Sequence, residues 1–253
     1  MFRLIAVLVF FLFFSLPSVS QSLADHRSAP GPRRDQPTTR DAAEDRRALS
    51  EDNRISIVRL KVPRKARALY QKALDAFTKS SHAETQRNLD EALKIDPEFP
   101  EALTLYGGMQ AAEQQWGAAE QRLQAAIDID PTYPPAYIVL AGVYNSQSRF
   151  DDAQRATEQA LSAGANTWDV QYEIVRTFMG KGQYENALAT CEQALRGKHG
   201  TLLHLARGHA LLGLGRYPEA ATEFKTYLHD DPAGEGSADA RDLLQKLDIV
   251  VAR

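Results

Sequence analysis

The sequence predicts an all-α protein built as a stack of similar helix pairs. Two passages, IDPEFPEA at 95–102 and IDPTYPPA at 129–136, repeat one another at an interval of 34 residues. Apolar residues between and beyond them recur at helical spacing, as at Ala119, Leu123 and Ala126. A fixed period of this length indicates that one supersecondary unit is repeated and that neighbouring units share a continuous core.

Composition and charge are those of a folded chain with an acidic body. Hydrophobic residues make up 43% and charged residues 25% of the 253 residues. The net charge is −3 overall, but residues 68–253 alone carry −9. Binding to a nucleic-acid backbone needs clustered Lys and Arg, so we expect no nucleic-acid partner.

Residues 1–24 have the layout of a signal peptide. Arg3 precedes a run at 4–16 that is apolar except for Ser15, and this run is shorter than the roughly 20 residues that span a bilayer. Cleavage is expected after Ser20 or Ala24, because each is a small residue with a second small residue, Ser18 or Ser22, two positions before it. We expect an exported protein, periplasmic or extracellular, with no membrane span in its mature form. The alternative is an uncleaved signal that tethers it to the membrane.

Two segments separate this stretch from the periodic region. Residues 25–53 are rich in Arg, Asp, Pro and Ser and nearly lack large apolar groups, which predicts a disordered linker. Residues 54–65 contain the β-branched run ISIVRLKVP and predict an extended segment leading into the repeats. Such a segment lies either against the first helix or at an edge where a partner adds to it.

From residue 66 onward, several rows of residues share the period. Pro97 and Pro131 cannot continue a helix and therefore end one unit before the next begins. The rows are two of alanine and one of aromatic residues: Ala92, Ala126, Ala160 and Ala194; Ala119, Ala153, Ala187 and Ala220; Trp116, Phe150, Tyr184 and Tyr217. Small residues also recur on the first helices of the units, at Gly107, Ala141 and Gly208. They are expected to face Ala119, Ala153 and Ala220 on the second helices.

These rows resemble the tetratricopeptide repeat family, and the signal with ISIVRLKVPRKA resembles its exported bacterial members of unassigned role. The resemblance implies a right-handed superhelical solenoid with a capping helix and tail at 234–253. Lys72, Thr85 and Val175 depart from the residue types of the family pattern, which predicts less regular packing of repeats one and four. The five helix-turn-helix repeats are placed at 66–99, 100–133, 134–167, 168–200 and 201–233.

The resemblance also implies that the first helix of each repeat lines a concave groove. Positions 2, 5, 9, 12 and 13 of a repeat would point into it. One version of the family clamps a carboxylate with Lys and Asn at positions 5 and 9. In this sequence these two positions hold Thr104/Gly108, Ile138/Gly142 and Tyr172/Arg176, so that clamp is absent. The residues expected to contact a partner are Tyr70, Asn145, Tyr172, Arg176 and His209.

A groove of small, apolar and aromatic groups suits an extended segment or an amphipathic helix. Tyr172 and Arg176 lie at i and i+4, and both residue types are enriched at binding hot spots. The alternative interpretation is that Tyr172 packs on its neighbour and Arg176 pairs with an acid such as Glu173.

No constellation of residues indicates catalysis. His204 and His209 are five residues apart, about 140° around a helix, so a shared metal ion is not expected. Cys191 is the only cysteine; a small buried side chain is expected, and pairing with another chain is the alternative. We therefore expect no enzyme activity, no cofactor and no metal.

The function predicted from the sequence is a protein–protein interaction scaffold or adaptor outside the cytoplasm, holding a segment of its partner in the groove. The alternative is an assembly or regulatory subunit of a cell-envelope enzyme or secretion complex.

Overall fold

The computed structural model describes residues 61–196, 200–234 and 236–251, with side chains up to residue 247. Within these ranges the chain forms eleven α-helices and no strand, which confirms the predicted all-α class. The predicted signal peptide at 1–24 and linker at 25–53 lie outside the described residues. The helices are α1 Arg64–Thr78, α2 His82–Ile95, α3 Pro100–Ala112, α4 Trp116–Ile129, α5 Pro134–Ser146, α6 Phe150–Ser162, α7 Trp168–Gly180, α8 Tyr184–Leu195, α9 Thr201–Gly213, α10 Tyr217–Asp230 and α11 Ser237–Val251.

The segment leading into the repeats is partly helical. Residues 54–60 lie outside the described ranges, Lys61 is helical, and α1 already begins at Arg64 after Pro63. The expectation of an extended conformation is therefore wrong for residues 61, 64 and 65. A proline immediately before a helix suits its start because its φ, here −59°, is already close to helical.

The doubled sequence motif forms the junction between repeats. Pro100 and Pro134 occupy the first turn of α3 and α5, where the missing N–H leaves no helical hydrogen bond unmade. Asp130, the residue directly after α4, accepts hydrogen bonds from the Thr132 backbone N–H (3.1 Å) and hydroxyl (2.7 Å). This local turn redirects the chain into the next repeat.

The turn inside each repeat has the same geometry in all five. One residue adopts a positive φ, and the N–H of the residue after it bonds to a carbonyl five positions back, for example Gln115 to Gln110 at 2.8 Å. A left-handed residue of this kind ends a helix by satisfying its last carbonyls. The positive-φ residues are Ser80, Gln114, Ser148, Gly182 and Gly215.

The small residues allow the two helices of a repeat to approach closely. Ala119, Ala153, Ala187 and Ala220 are fully buried. A Cβ added to Gly107 would lie 2.8 Å from the Cγ of Leu123 and 3.3 Å from the Ala119 carbonyl oxygen. The predicted contact between Gly107 and the alanine row is therefore confirmed.

The aromatic row joins one repeat to the next. The ring of Phe150 lies against Gly180, and the ring of Tyr184 lies against Gly213, at the end of the following repeat's first helix. A side chain on either glycine would collide with the ring. Glycine at these two positions therefore leaves room for the aromatic residue of the preceding repeat.

The repeats stack in chain order and the core runs along the stack. Its apolar clusters follow one another through repeats one and two, two to four, and four to the C-terminal helix. The last helix, α11, packs on α10 and places Ala240 and Leu247 in the same cluster as Tyr227. It therefore covers the end of the stack.

Candidate functional site

The first helices of the repeats form one layer of the stack. In this layer α3 packs on α5, α5 on α7, and α7 on α9, while the second helices pack behind them. We call α1, α3, α5, α7 and α9 the inner layer, and the second helices the outer layer. The sequence-based prediction places the partner-binding groove on the inner layer.

One row of inner-layer residues is buried along the whole stack. It contains position 5 of every repeat, and no member is more than 9% exposed. We call this set the floor row: Tyr70, Thr104, Ile138, Tyr172 and Leu205.

Of the five residues predicted to contact a partner, four are buried and Arg176 is half-buried. Their exposed fractions are 9% for Tyr70, 8% for Asn145, 7% for Tyr172 and 5% for His209, and 9% for the side chain of Arg176. In this structure each of them packs mainly against neighbouring side chains. Their role in binding stays a prediction.

Two of the five lie at opposite ends of the stack. The ring of Tyr70 packs in repeat one at 5.2 Å from the ring of Phe99. His209, in repeat five, places Nε2 3.4 Å from a carboxylate oxygen of Asp239 on α11, and its ring meets the edge of Phe224. Neither residue contributes to the central group.

The other three come together around Glu173, between repeats three and four. Asn145 donates from Nδ2 to the backbone oxygen (3.0 Å) and the carboxylate (2.9 Å) of Glu173. Arg176 donates from Nη1 to both carboxylate oxygens, at 3.1 and 3.0 Å, and its guanidinium carbon lies 6.0 Å from the centre of the Tyr172 ring. The alternative interpretation, an Arg176–Glu173 pair, is confirmed.

The Arg176–Glu173 pair is largely shielded from water. The two side chains are 9% and 12% exposed. Burial alone would lower the pKa of Arg176, but the charge of Glu173, with smaller effects of Tyr172 and the hydrogen bond, leaves that pKa raised. The guanidinium therefore stays charged and engaged inside the protein.

Two hydroxyl groups that sequence reasoning missed complete this network. Ser146 accepts a hydrogen bond from Nη2 of Arg176 (3.2 Å) and donates to the carbonyl of Gly142 (2.9 Å). Thr177 lies 3.0 Å from Oδ1 of Asn145 through its hydroxyl. In the sequence, the only sign of this network was that polar residues occur on the first helices of repeats three and four, about 30 positions apart. The network fastens α5 to α7.

A second polar cluster joins repeats four and five. The buried carboxylate of Glu223 lies 2.8 Å from Nδ1 of His204 and accepts a hydrogen bond from Arg207 at 3.0 Å. Arg207 also contacts Glu192 at 3.4 Å. His204 and His209 thus serve different contacts. Across the described ranges, no group of three or more His, Cys, Asp or Glu side chains could hold a metal ion.

Cys191 is buried in the core next to this cluster. Its side chain has no exposed surface, and burial raises the pKa of the thiol to about 12. The expectation of a small buried side chain is confirmed. A protonated, inaccessible thiol does not pair with another chain in the folded state.

The inner layer also carries apolar side chains that remain partly accessible. They lie at positions 9 and 12 of repeats one, four and five and are half-buried at the edges of the core clusters. We call this set the rim row: Leu74, Phe77, Met179 and Leu212.

In the described part of the chain, no helix combines the length and apolarity needed to cross a membrane.

Family comparison agrees with the repeat architecture. Models described as tetratricopeptide repeat match residues 63–134, 110–173 and 169–196. No curated protein matches the chain.

Solved structures share the fold at low sequence identity. A thermophilic TPR protein of Thermus thermophilus is 18% identical with a TM-score of 0.65, over 73% of this chain and 99% of that chain. Pseudomonas aeruginosa PilF is 16% identical with a TM-score of 0.60, over 74% and 90%. PilW, described as a widely conserved type IV pilus biogenesis factor, is 19% identical with a TM-score of 0.59, over 82% and 89%.

The family matches together span residues 63–196, more than half of the chain. The helix pairs continue at the same period to residue 230. The chain belongs to the tetratricopeptide repeat family.

Proposed function

We propose that the chain is a non-enzymatic adaptor that binds a protein or peptide segment on its inner layer. The family fold is a protein–protein interaction scaffold, which supports the general role. The position of the accessible apolar side chains carries the proposal further. The rim row lies on the inner layer at corresponding positions of repeats one, four and five. Half-buried apolar residues such as Trp116 and Leu228 also lie on the outer layer, where Leu161 on α6 is the single exposed large hydrophobic side chain among the described residues.

The chemistry of this surface favours an apolar ligand. Arg176 is held by Glu173, so the central cation is neutralised and does not offer the bidentate recognition that a carboxylate terminus would use. The rim row instead supplies an aromatic, a methionine and two leucines, which bind by burying apolar area. A helix or an extended segment with spaced apolar residues fits these contacts.

A capture experiment from extracts of the source organism tests the proposal. The immobilised full chain is compared with the variant Phe77→Ala/Met179→Ala/Leu212→Ala. Because truncating hot-spot side chains costs about 2 kcal/mol or more in total, we expect at least about a thirtyfold loss of affinity for captured partners.

Leu161→Ala is the matched control, since it removes an exposed leucine from the outer layer, and we expect it to capture the same proteins as the original chain. Thermal melts identify any loss caused by unfolding. If the triple variant is folded and retains every partner, the inner layer is not the binding surface.

We further propose that the protein works outside the cytoplasm. The charged residue, apolar run and small residues of segment 1–24 support this location. Mass spectrometry of the protein recovered from cell fractions tests it. A mature chain starting after Ser20 or Ala24 in an exported fraction is expected, and a full-length chain in the cytoplasmic fraction would contradict it.

An assembly or regulatory subunit of a cell-envelope complex is the second candidate. Its support is the export signal predicted for residues 1–24, together with the similarity of fold to a pilus biogenesis factor. Capture distinguishes the two roles. Recovery of one stoichiometric complex favours the subunit, and recovery of several unrelated partners favours a general adaptor.

A further inference from the structure

The first helix of the stack carries an exposed face made almost entirely of cations. Five exposed positions of α1, at 64, 65, 68, 72 and 75, fall within about 100° of the helix circumference, away from the buried side of the helix. Three of the five are Lys or Arg, and Lys61 lies exposed just before the helix. We call these cations the basic face: Lys61, Arg64, Lys65 and Lys72.

The residues around Lys61 are fixed against the first repeat. Val62 is 3% exposed and packs in the apolar cluster of repeats one and two. Arg67 donates two hydrogen bonds to the Val62 carbonyl, at 3.0 and 2.8 Å. Lys61 is therefore held beside the start of α1, next to the other members of the basic face.

The charge of this face is not compensated within the described part of the chain. None of its four cations forms an ion pair there, whereas Arg149, Arg176 and Lys181 further along the stack each contact a carboxylate. The first turn of α1 holds no acid and has no side-chain cap. Cations at the N-terminus of a helix oppose its dipole, so Arg64 and Lys65 weaken α1 unless an external anion is bound.

Charge is distributed unevenly along the stack. Residues 61–78 contain five Lys or Arg and one Asp, a net charge of +4, whereas residues 79–253 carry −9. Neighbouring helices lie about 8–10 Å apart, and the Debye length at 0.1 M salt is about 10 Å. An anionic surface that touches α1 is therefore attracted by the basic face more strongly than it is repelled by the acidic repeats behind it.

The shape of the basic face favours a lipid surface over a peptide. The face lies on the outside of one helix, and its five helical positions include no large apolar side chain that could anchor in a partner's pocket. A planar array of phosphate headgroups meets several such cations at once, and clusters of four or more Lys and Arg are typical of helices that bind anionic lipids.

From these observations we propose that the basic face docks the protein on an anionic phospholipid surface, with the acidic repeats directed away from the bilayer. The contact is electrostatic and stays at the level of the headgroups. It uses different side chains from the rim row, so the inner layer remains open to a partner while the protein lies on the membrane.

Co-sedimentation of the full chain with lipid vesicles tests the docking. Vesicles of phosphatidylglycerol and phosphatidylcholine in equal parts are compared with vesicles of phosphatidylcholine alone, at about 0.1 M salt. Binding to the anionic vesicles is expected to be at least about tenfold stronger, and to be lost at about 1 M salt, where the Debye length is about 3 Å. Equal binding to both kinds of vesicle, or no binding to the anionic ones, overturns the inference.

A fourfold variant identifies the residues: Lys61→Gln/Arg64→Gln/Lys65→Gln/Lys72→Gln. Each Lys or Arg near an anionic bilayer strengthens binding by roughly fivefold, so this variant should bind the anionic vesicles at least about fiftyfold more weakly. Glutamine favours helix, and the four positions are exposed, so thermal melts should show that the variant is folded.

The matched control removes the same charge from exposed positions on four other helices: Arg87→Gln/Arg155→Gln/Lys225→Gln/Lys246→Gln. It is expected to bind the anionic vesicles at least as well as the original chain. Undiminished binding by the basic-face variant, or an equal loss in the two variants, would show that the basic face does not direct the protein to the lipid surface.

Discussion

Arg176 illustrates how a residue that looks suited to recognition becomes part of the frame. Its guanidinium spans Glu173 in its own helix and Ser146 in the previous repeat. Asn145 closes the arrangement from α5 by bonding to the same acid. These contacts order the junction between repeats three and four.

We expect Arg176→Ala to lower the free energy of unfolding by about 3–5 kcal/mol, because it leaves the Glu173 carboxylate largely buried without an opposite charge. Arg155→Ala is the control: its side chain is 68% exposed beside Asp152, and such exposed pairs contribute about 0–1 kcal/mol. Urea denaturation measures both. Equal losses for the two variants would show that the Arg176 pair is not buried in solution.

At this scale the sequence predicts neighbours along one helix but not across repeats. The spacing of Tyr172 and Arg176 places them together, and Glu173 was foreseeable as an acid for the arginine. Ser146 and Asn145 lie about 30 residues earlier, and their proximity depends on how α5 sits against α7. Burial of the predicted contact residues therefore could not be read from spacing alone.

At the scale of the element, the repeated turn and the small-residue rows determine the helix pair. Both were visible in the sequence because they recur at one period, and the helix boundaries follow the prolines closely. The start of α1 was harder to place, since residues 54–65 are apolar and β-branched and have no repeat counterpart. The β-branched residues lie at or before Val62, whereas Arg64 and Lys65 are exposed, favour helix and directly follow Pro63, so local propensity itself starts α1 there.

Two glycine substitutions separate packing from helix propensity. Gly107→Ala places a Cβ 2.8 Å from Leu123 and is expected to cost about 1–3 kcal/mol. Gly117→Ala on α4 meets no atom within 4 Å and should stabilise the protein by up to about 1 kcal/mol. Thermal or chemical unfolding measures the difference. A Gly107→Ala protein as stable as Gly117→Ala would disprove the close contact between α3 and α4.

At the scale of the whole molecule, each repeat depends on its neighbours and the last one depends on α11. The C-terminal segment covers Leu205, approached by Gly236, and Tyr227, whose hydroxyl accepts the Gly236 N–H at 3.2 Å. Covering of this kind was predictable, because an open apolar end favours association with other copies.

Removing residues 235–253 should therefore expose the end of repeat five and produce aggregates. Size-exclusion chromatography with light scattering is the measurement. Lys246→Ala, which alters an exposed ion pair with Asp242 on α11, serves as the control and should elute like the original chain. A truncated chain that remains monomeric and soluble would show that α11 does not cap the stack.

The central claim is that a partner binds on the inner layer. Hydrogen–deuterium exchange of the full chain, with and without a captured partner, tests it most directly. Slower exchange is predicted for peptides of α1, α3, α5, α7 and α9, with little change in the outer layer. Protection confined to α2, α4, α6, α8 and α10 would contradict the claim.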